Sequence, residues 1–468
     1  MESNKHNNIT IAVINVVNKR KKVAMNKDLN GGFGTADIYS NSIFEKIIGF
    51  LKRRSIKLPI VSLAFLMGIF KEKRISAKYY EGTIPRSEPD IILIYGSIVD
   101  YKYENHICNV LKKKFKKSKI GFIGPFPSVK PKLFSSADFI IKGDFEKYFL
   151  DDFKDISQLK GGINVEGKVD MDKLPQPELE GFPIKDYGYA PAISKKPFFA
   201  LQASKGCPYS CAYYCAYGAF QGAKISERSP KNVVEDIIYL QNKYGMKGFQ
   251  FRDPTFGIRP GYIEELCSEL KRKNVDVQWG METRIDLLDD KKIKRMFDVG
   301  LRNINIGIET ADPGVAHKNK RLLANIQKQE SLIKYCEQLG VKISAFYMFG
   351  YEGETRKKMN DTLNYAKKIN TFLARFAVYT PYPGTAFFEE MRKRRRLITN
   401  DFERYTQFNL VIKHKTFNNK DIQYMRSKAY KEYYLRTSFI WKKLLQTRSL
   451  KDLKMYYNGY RMLKTDTA

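Results

Sequence analysis

Cysteine is scarce in this chain: six residues in 468. Three of them, Cys207, Cys211 and Cys215, crowd into one loop, while Cys108, Cys267 and Cys336 are scattered. So few cysteines exclude a disulfide-stapled secreted scaffold and suit metal ligation in a reducing cytoplasm. Long apolar runs are missing as well. No stretch approaches the ~20 apolar residues of a membrane span, and the opening MESNKHNNITIAVINVV has no long apolar segment ending in a small-residue cleavage site. The expectation is a soluble, cytoplasmic protein without a targeting sequence. Negative charge is also in short supply, with 50 Asp and Glu against 83 Lys and Arg and a net charge of +33. Such an excess admits nucleic acid, a membrane surface or an anionic substrate as partner. The lysines are spread rather than gathered in one block, which favours a solvated basic surface over a dedicated polyanion site.

What is present is a long alternation of strands and helices. At this length the chain exceeds one hydrophobic core, so two or three domains are expected. In residues 1–164 the β-branched run ITIAVINVV (9–17) reads as a buried strand. Apolar positions at helical spacing follow through Ile43, Ile47, Ile48 and Leu51, then a helix IVSLAFLMGIFKEK. RISAKYYE, DIILIYGS (90–97), KIGFIG (119–124) and ADFIIKGD (137–144) read as further strands, with NHICNVLKKKFKK as a basic amphipathic helix. This alternation predicts an α/β domain of Rossmann or flavodoxin-like type, with ligands at the carboxyl ends of its strands.

Residues 165–195 turn rich in Pro and Gly and lose any period, as a linker would. From 196 to 395 a second series begins, with strands at FFALQAS (198–204), GFQFRD (248–253), VQWGMET (277–283), NINIGIET (303–310), VKISAFYMFG (341–350) and RFAVYTPYPGT (375–385). Six such units predict a partial (β/α)6 TIM-like barrel with its site at the carboxyl ends of the strands. Behind the basic run RKRRR (392–396), residues 396–468 read as aromatic, basic amphipathic helices, which either cap the barrel or touch a membrane face or lipid-like substrate.

The densest chemistry lies in GCPYSCAYYCAYG (206–218). Thiolates are the natural ligands of iron-sulfur clusters, and three of them leave one iron of a 4Fe-4S cluster open. Three neighbouring cysteines also suit zinc, or no metal at all. The loop follows a predicted strand, carries Pro208 after its first cysteine and Tyr214 before its last, and so resembles the cysteine loop of radical S-adenosylmethionine enzymes. It departs from the CxxxCxxC pattern of that family by one residue, Cys207-x3-Cys211-x3-Cys215. The extra residue either bulges outward, leaving all three thiolates on the cluster, or weakens its assembly.

The strands that follow carry further points of resemblance, in the family's order. FRDPTF (251–256) resembles the second-strand acidic motif, with Asp253 near the cofactor. METRIDLL (281–288) resembles the third-strand segment and makes Glu282 and Arg284 candidates, the arginine facing the cofactor's carboxylate. INIGIETADP (304–313) resembles the fourth-strand motif whose acid, here Glu309, accepts hydrogen bonds from ribose hydroxyls. FGYEGET (349–355) resembles the turn after the fifth strand, with Glu354, and YPGT (382–385) the end of the sixth. The likeness spans about 196–395.

The αβ unit in front looks like the cobalamin-binding domain of the class B methyltransferase-like and ring-forming subfamily. GFGT (32–35) and LPIVSLAFLMGIF resemble its opening. Gly96 and Ser97, in GSIVD, and Gly124, in GPFPS, sit just after strands, where a corrin would approach. No Asp-x-His-x-x-Gly occurs, and His106 lies early in a helix, so a base-off cobalamin without a protein histidine is expected. A flavodoxin-like domain that binds a nucleotide or nothing is the alternative.

The resemblance implies a 4Fe-4S cluster on Cys207, Cys211 and Cys215, S-adenosylmethionine, cobalamin, and an external electron donor such as flavodoxin or ferredoxin. The activity it implies is C-methylation of an unactivated carbon in a small-molecule or lipid-like substrate. Radical cyclisation or rearrangement without methyl transfer, and a non-catalytic cofactor-binding or sensor protein, are the alternatives. Nucleic acid is disfavoured because no recognisable nucleic-acid module appears at the carboxyl end.

Overall fold

The computed structural model describes residues 9–21, 23–37 and 55–446. The helix expected through Ile43, Ile47, Ile48 and Leu51, and the tail beyond 446, lie outside the described residues.

The amino-terminal sheet contains β1 (Thr10–Asn15), β2 (Ser76–Glu81), β3 (Ile91–Tyr95), β4 (Lys119–Ile123), β5 (Phe139–Lys142) and β6 (Gly161–Asn164). Its order is β2-β1-β3-β4-β5-β6 and every pairing is parallel. The first five positions are those of a flavodoxin-like sheet, whose direction of winding reverses between β1 and β3. The β-branched runs explain the centre: all five residues of β3 are buried, as are five of the six in β1. Helix α1 (Val61–Glu72) is apolar almost all round, and it is buried on both sides. Its Gly68 is required by close approach, because a Cβ there would lie 2.2 Å from the Gln176 carbonyl oxygen. Helix α2 (Tyr101–Lys114) buries one stripe and leaves most of its lysines outside.

Residues 165–195 do not hang free between the two sheets. They bury Val169, Met171, Leu174, Leu179, Phe182 and Tyr187, and the Glu178 amide donates to Ala64 O of α1 at 2.9 Å.

The second sheet runs in strict chain order: β7 (Phe198–Leu201), β8 (Gly248–Phe251), β9 (Gln278–Thr283), β10 (Leu301–Glu309), β11 (Lys342–Phe349) and β12 (Leu373–Val378). All its pairings are parallel, as in a partial barrel. Between strands lie α3 (Pro230–Tyr244), α4 (Tyr262–Arg272), α5 (Asp290–Asp298), α6 (Ile326–Leu339) and α7 (Arg356–Ile369). Side-chain caps begin four of these five: Ser229 with Pro230 behind it for α3, Asp289 for α5, Asn325 for α6 and Thr355 for α7. Each satisfies an amide that the first turn leaves without a partner.

After α8 (Ala386–Lys393), helices α9 (Asn419–Tyr434) and α10 (Thr437–Gln446) form the helical carboxyl-terminal region. α9 lies on the outer face of β12, with the Tyr430 and Tyr433 rings 5.5 and 6.0 Å from Phe376. Among the described residues no helix is long and apolar enough to cross a membrane.

Candidate active site

The cysteine loop leaves the carboxyl end of β7. Gly206 opens it with φ +95°, and a Cβ there would lie 2.1 Å from Lys224 O. Only glycine fits this turn. The Cys207 amide then donates to Gly222 O at 2.9 Å, closing the base of the loop. Ser210–Tyr213 make a 3-10 turn, and Cys211 O accepts both the Tyr214 amide at 3.0 Å and the Cys215 amide at 2.9 Å. The extra residue of the spacing is therefore taken up as one helical turn, which sets the second and third cysteines four apart on the same side. Tyr213 leans outward onto α8, its ring 5.6 Å from Phe387 and its hydroxyl donating to Glu390 at 2.5 Å. Tyr214 turns inward onto Tyr379, 5.0 Å away.

Cys207 is buried, and Cys211 and Cys215 are half-buried. Burial and the neighbouring Cys211 push the Cys215 thiol up to about 12, opposed by the Tyr217 and Gly218 amides that donate to its sulfur. Burial likewise raises Cys211, against the pull of Arg321. Among the described residues no three of His, Cys, Asp and Glu converge closely enough for a single metal ion. A four-iron cluster asks for something different, one thiolate per iron. Three mutually interacting thiols and amide donors to one sulfur fit it, and the other three cysteines lie far along the chain in α2, α4 and α6.

The ends of β8, β9 and β10 surround this loop. Asp253 is fully buried, accepting from the Ala203 amide at 2.9 Å and the Ser204 hydroxyl at 2.6 Å. Burial raises its pKa to about 7. Both its oxygens thus brace the start of the loop. Glu282 is bound by Arg252 and accepts from Asn305 at 3.3 Å. Arg284 is fixed by Asp286 at 2.7 and 3.1 Å and lies 4.5 Å from the Tyr209 ring. Glu309 ends β10 with φ +74°, where the register against β11 shifts. A non-glycine residue in this region is strained, and such strain gathers at functional sites. Burial raises the Glu309 pKa, opposed by Arg321. Gly307 makes room for this carboxylate, since a Cβ there would meet Glu309 Oε1 at 2.5 Å.

Arg321 was not singled out from the sequence. It donates to Gly307 O and interacts with Cys211, Tyr214 and Glu309. Its only signal was the basic HKNKR stretch after the fourth-strand motif. A cavity opens beside it, lined in part by Arg284, Gly307, Thr310 and Arg321. Glu354 stands apart from this group. It is fully buried and accepts from the Gly350 amide at 2.6 Å and the Tyr351 amide at 3.1 Å, and burial lifts it to about 8. It shapes the turn after β11.

The second cavity lies where the carboxyl ends of the two sheets face each other. Tyr95, Pro125 and Gly143 line it from the first sheet and Gln202, Tyr217 and Arg252 from the second. Arg252 joins the two halves through Glu282 and Asp28, the latter at 2.9 Å. Buried Lys205 makes a second bridge, 2.7 Å from Glu146 and 3.5 Å from Asp144. Burial works against the Lys205 ammonium, but the two carboxylates outweigh it and raise its pKa. The loop with Gly31 and Gly32, both at positive φ, reaches this cavity, and the Tyr95 hydroxyl donates to Gly32 O at 2.9 Å. Gly96 and Gly124 have another use: a Cβ on Gly96 would lie 2.3 Å from Pro127, and one on Gly124 3.1 Å from Tyr95, so they pack two loops together. Ser97 is spent on Glu104, at 2.6 and 2.8 Å.

Residues 201–366 match the Radical SAM superfamily. The chain carries a radical SAM domain. Beyond it, the chain is 25% identical over 420 residues to an uncharacterized methyltransferase of Pyrococcus horikoshii, covering 83% of this chain and 90% of that protein. It is 26% identical over 240 residues to the anaerobic magnesium-protoporphyrin IX monomethyl ester cyclase of Rubrivivax gelatinosus, covering 51% of this chain and 42% of the cyclase. Its fold is that of the cobalamin-dependent S-adenosylmethionine radical enzyme OxsB, with TM-score 0.64, 13% identity and coverage of 96% of this chain and 70% of that one. The radical SAM domain thus begins at the end of β7 and includes the loop, Glu309 and Arg321.

Proposed function

We propose that the protein is a cobalamin-dependent radical SAM enzyme that methylates an unactivated carbon of a small-molecule substrate. The observation that carries this reading is the cavity between the carboxyl ends of the two sheets, with the cysteine loop forming part of its wall. A flavodoxin-like sheet presents ligands at that end, and so does a parallel barrel.

Cys207, Cys211 and Cys215 would each hold one iron, leaving the fourth open for S-adenosylmethionine. When bound, the cluster and cobalamin supply one-electron chemistry and a methyl carrier, which no side chain offers. The rest falls to this chain's own groups. Arg284, pinned by Asp286 and Tyr209, and Arg321, beside Cys211, offer guanidinium donors to a carboxylate. Glu309 offers a carboxylate to paired hydroxyls. Asp253 holds the loop's entry and Glu354 the fifth-strand turn, so both position rather than touch the cofactor. For the corrin, Gly31, Gly32 and Gly143 line the cavity together with Tyr95. Among the described residues no histidine lines this cavity.

The Rubrivivax relative favours a second reading, radical ring closure without methyl transfer. Anaerobic reconstitution with S-adenosylmethionine and product analysis separates the two. S-adenosylhomocysteine appearing in step with a methylated product supports methyl transfer, and 5′-deoxyadenosine without it supports ring closure. Neither product from folded, iron-loaded protein overturns both.

A further inference from the structure

The carboxyl-terminal helices have two different faces. Inward, α9 buries Ile422, Met425, Ala429, Tyr430 and Tyr433 against the barrel. Outward lie Lys420, Tyr424 and Lys431, and Leu435 just past the helix end, all exposed. Their spacing of four, seven and four residues sets them on one stripe. Trp441 of α10 adds to the exposed surface. Tyr424 is 71% exposed, Trp441 65% and Leu435 37%. Six large apolar side chains are this bare among the described residues, and two of them, Leu322 and Ile326, line the cavity beside Arg321. Three of the other four therefore fall on this one short segment.

The charge here has one sign as well. Residues 419–446 hold seven Lys and Arg against two Asp and Glu. Both acids are engaged, Asp421 by Arg356 at 2.6 Å and Glu432 by Lys367 at 2.6 Å. Lys420 and Lys431 have no ion-pair partner among the described residues. The 22 residues after 446 keep the same composition, with five Lys and Arg against two Asp and with three more tyrosines.

Aromatic rings interleaved with lysines suit a lipid surface better than a protein. Tyr and Trp settle at the level of the headgroups because each has an apolar body and a polar tip. Lysines beside them keep their stems with the apolar layer while their ammonium groups reach lipid phosphates. A protein interface needs a continuous apolar centre. Here Tyr424 and Leu435 stand roughly 16 Å apart along the helix axis, at 1.5 Å per residue. Since no described helix spans a membrane, the contact is peripheral. We infer that the outer face of α9 and α10 docks the chain onto an anionic bilayer, with Tyr424 and Trp441 among the headgroups and Lys420 and Lys431 on their phosphates. Capping the barrel and meeting a membrane are then tasks of opposite faces of the same helices. The inference does not depend on which cofactors the barrel holds.

The test uses the full-length chain and vesicles of phosphatidylcholine, with or without phosphatidylglycerol. The chain has two tryptophans and Trp279 is fully buried, so a change in emission reports Trp441. Vesicles containing phosphatidylglycerol should co-sediment with the protein and move its emission to shorter wavelength, phosphatidylcholine alone should not, and added salt should reverse the effect. Trp441→Phe should abolish the emission shift. Lys420→Glu with Lys431→Glu should weaken vesicle binding about ten-fold or more. Lys113→Glu with Lys116→Glu, an equal charge change at exposed lysines of the amino-terminal domain, should leave it near wild type. All substituted side chains are exposed, and thermal unfolding checks that each variant folds. Absence of vesicle binding, binding that leaves Trp441 unchanged, or equal weakening in both lysine variants overturns the inference. So does an emission shift that a single-stranded RNA oligonucleotide produces and vesicles do not, which gives the face to nucleic acid. Shielding of Trp441 from acrylamide before vesicles are added gives it to a second copy of the chain and equally overturns the inference.

Discussion

Glu354 shows how a single buried carboxyl sets a pH dependence. Burial places its folded-state pKa at about 8, above its ordinary value, despite two backbone amides that favour the charged form. The folded state therefore holds this proton where the unfolded chain has released it. Its contribution to stability is present in full below about pH 4.3 and is lost as the pH rises through about 8. Glu354→Gln keeps an acceptor for the Gly350 and Tyr351 amides and cannot ionise. Urea denaturation from pH 5 to 8 should find the variant gaining on the wild type as the pH rises, and a constant difference would refute the assignment. At this scale the sequence was legible where a residue belongs to an ordered motif. Glu309 and the three cysteines come together. Arg252 and Arg321 were invisible, because what makes them matter is Asp28 and Glu282 for one and Cys211 and Glu309 for the other, all distant in sequence.

Elements were easier to read than partners. All six strands of the second sheet were legible, since each is a short apolar run closed by charged or glycine-containing turns. In the first sheet β6 escaped notice. Gly-Gly-Ile-Asn is short, three of its four residues are exposed, and an edge strand carries little of the pattern that marks a buried one. The Pro- and Gly-rich stretch 165–195 read as a linker because composition does not reveal that its scattered apolar residues would be buried. The helical turn inside the cysteine loop was equally hidden, and it is where an element-level change should tell. Tyr213→Ala removes the ring from Phe387 and the hydroxyl from Glu390, and so frees that turn. Iron retained after desalting should fall, whereas Ser229→Ala, which removes the α3 cap, should cost about 1 kcal/mol and leave iron content alone. Equal iron in both variants would deny the turn its role.

For the whole molecule the decisive feature is that two sheets meet carboxyl end to carboxyl end, held by buried ion pairs. Arg252 bridges Asp28 of one half and Glu282 of the other while only 3% exposed. Removing one partner of a buried set leaves uncompensated charge, at a cost of about 3–5 kcal/mol. Arg252→Met should therefore lower the midpoint of thermal unfolding and loosen the two halves, seen as faster proteolysis between them. A wild-type profile would show that the bridge holds nothing.

The central claim is that Cys207, Cys211 and Cys215 hold a four-iron cluster whose open iron takes S-adenosylmethionine. Electron paramagnetic resonance of the anaerobically reduced protein tests it most directly. A four-iron signal that changes shape when S-adenosylmethionine is added, and that Cys211→Ala abolishes, is the expected result. An iron-loaded protein whose signal ignores S-adenosylmethionine, or a loop that takes up zinc in place of iron, would contradict it.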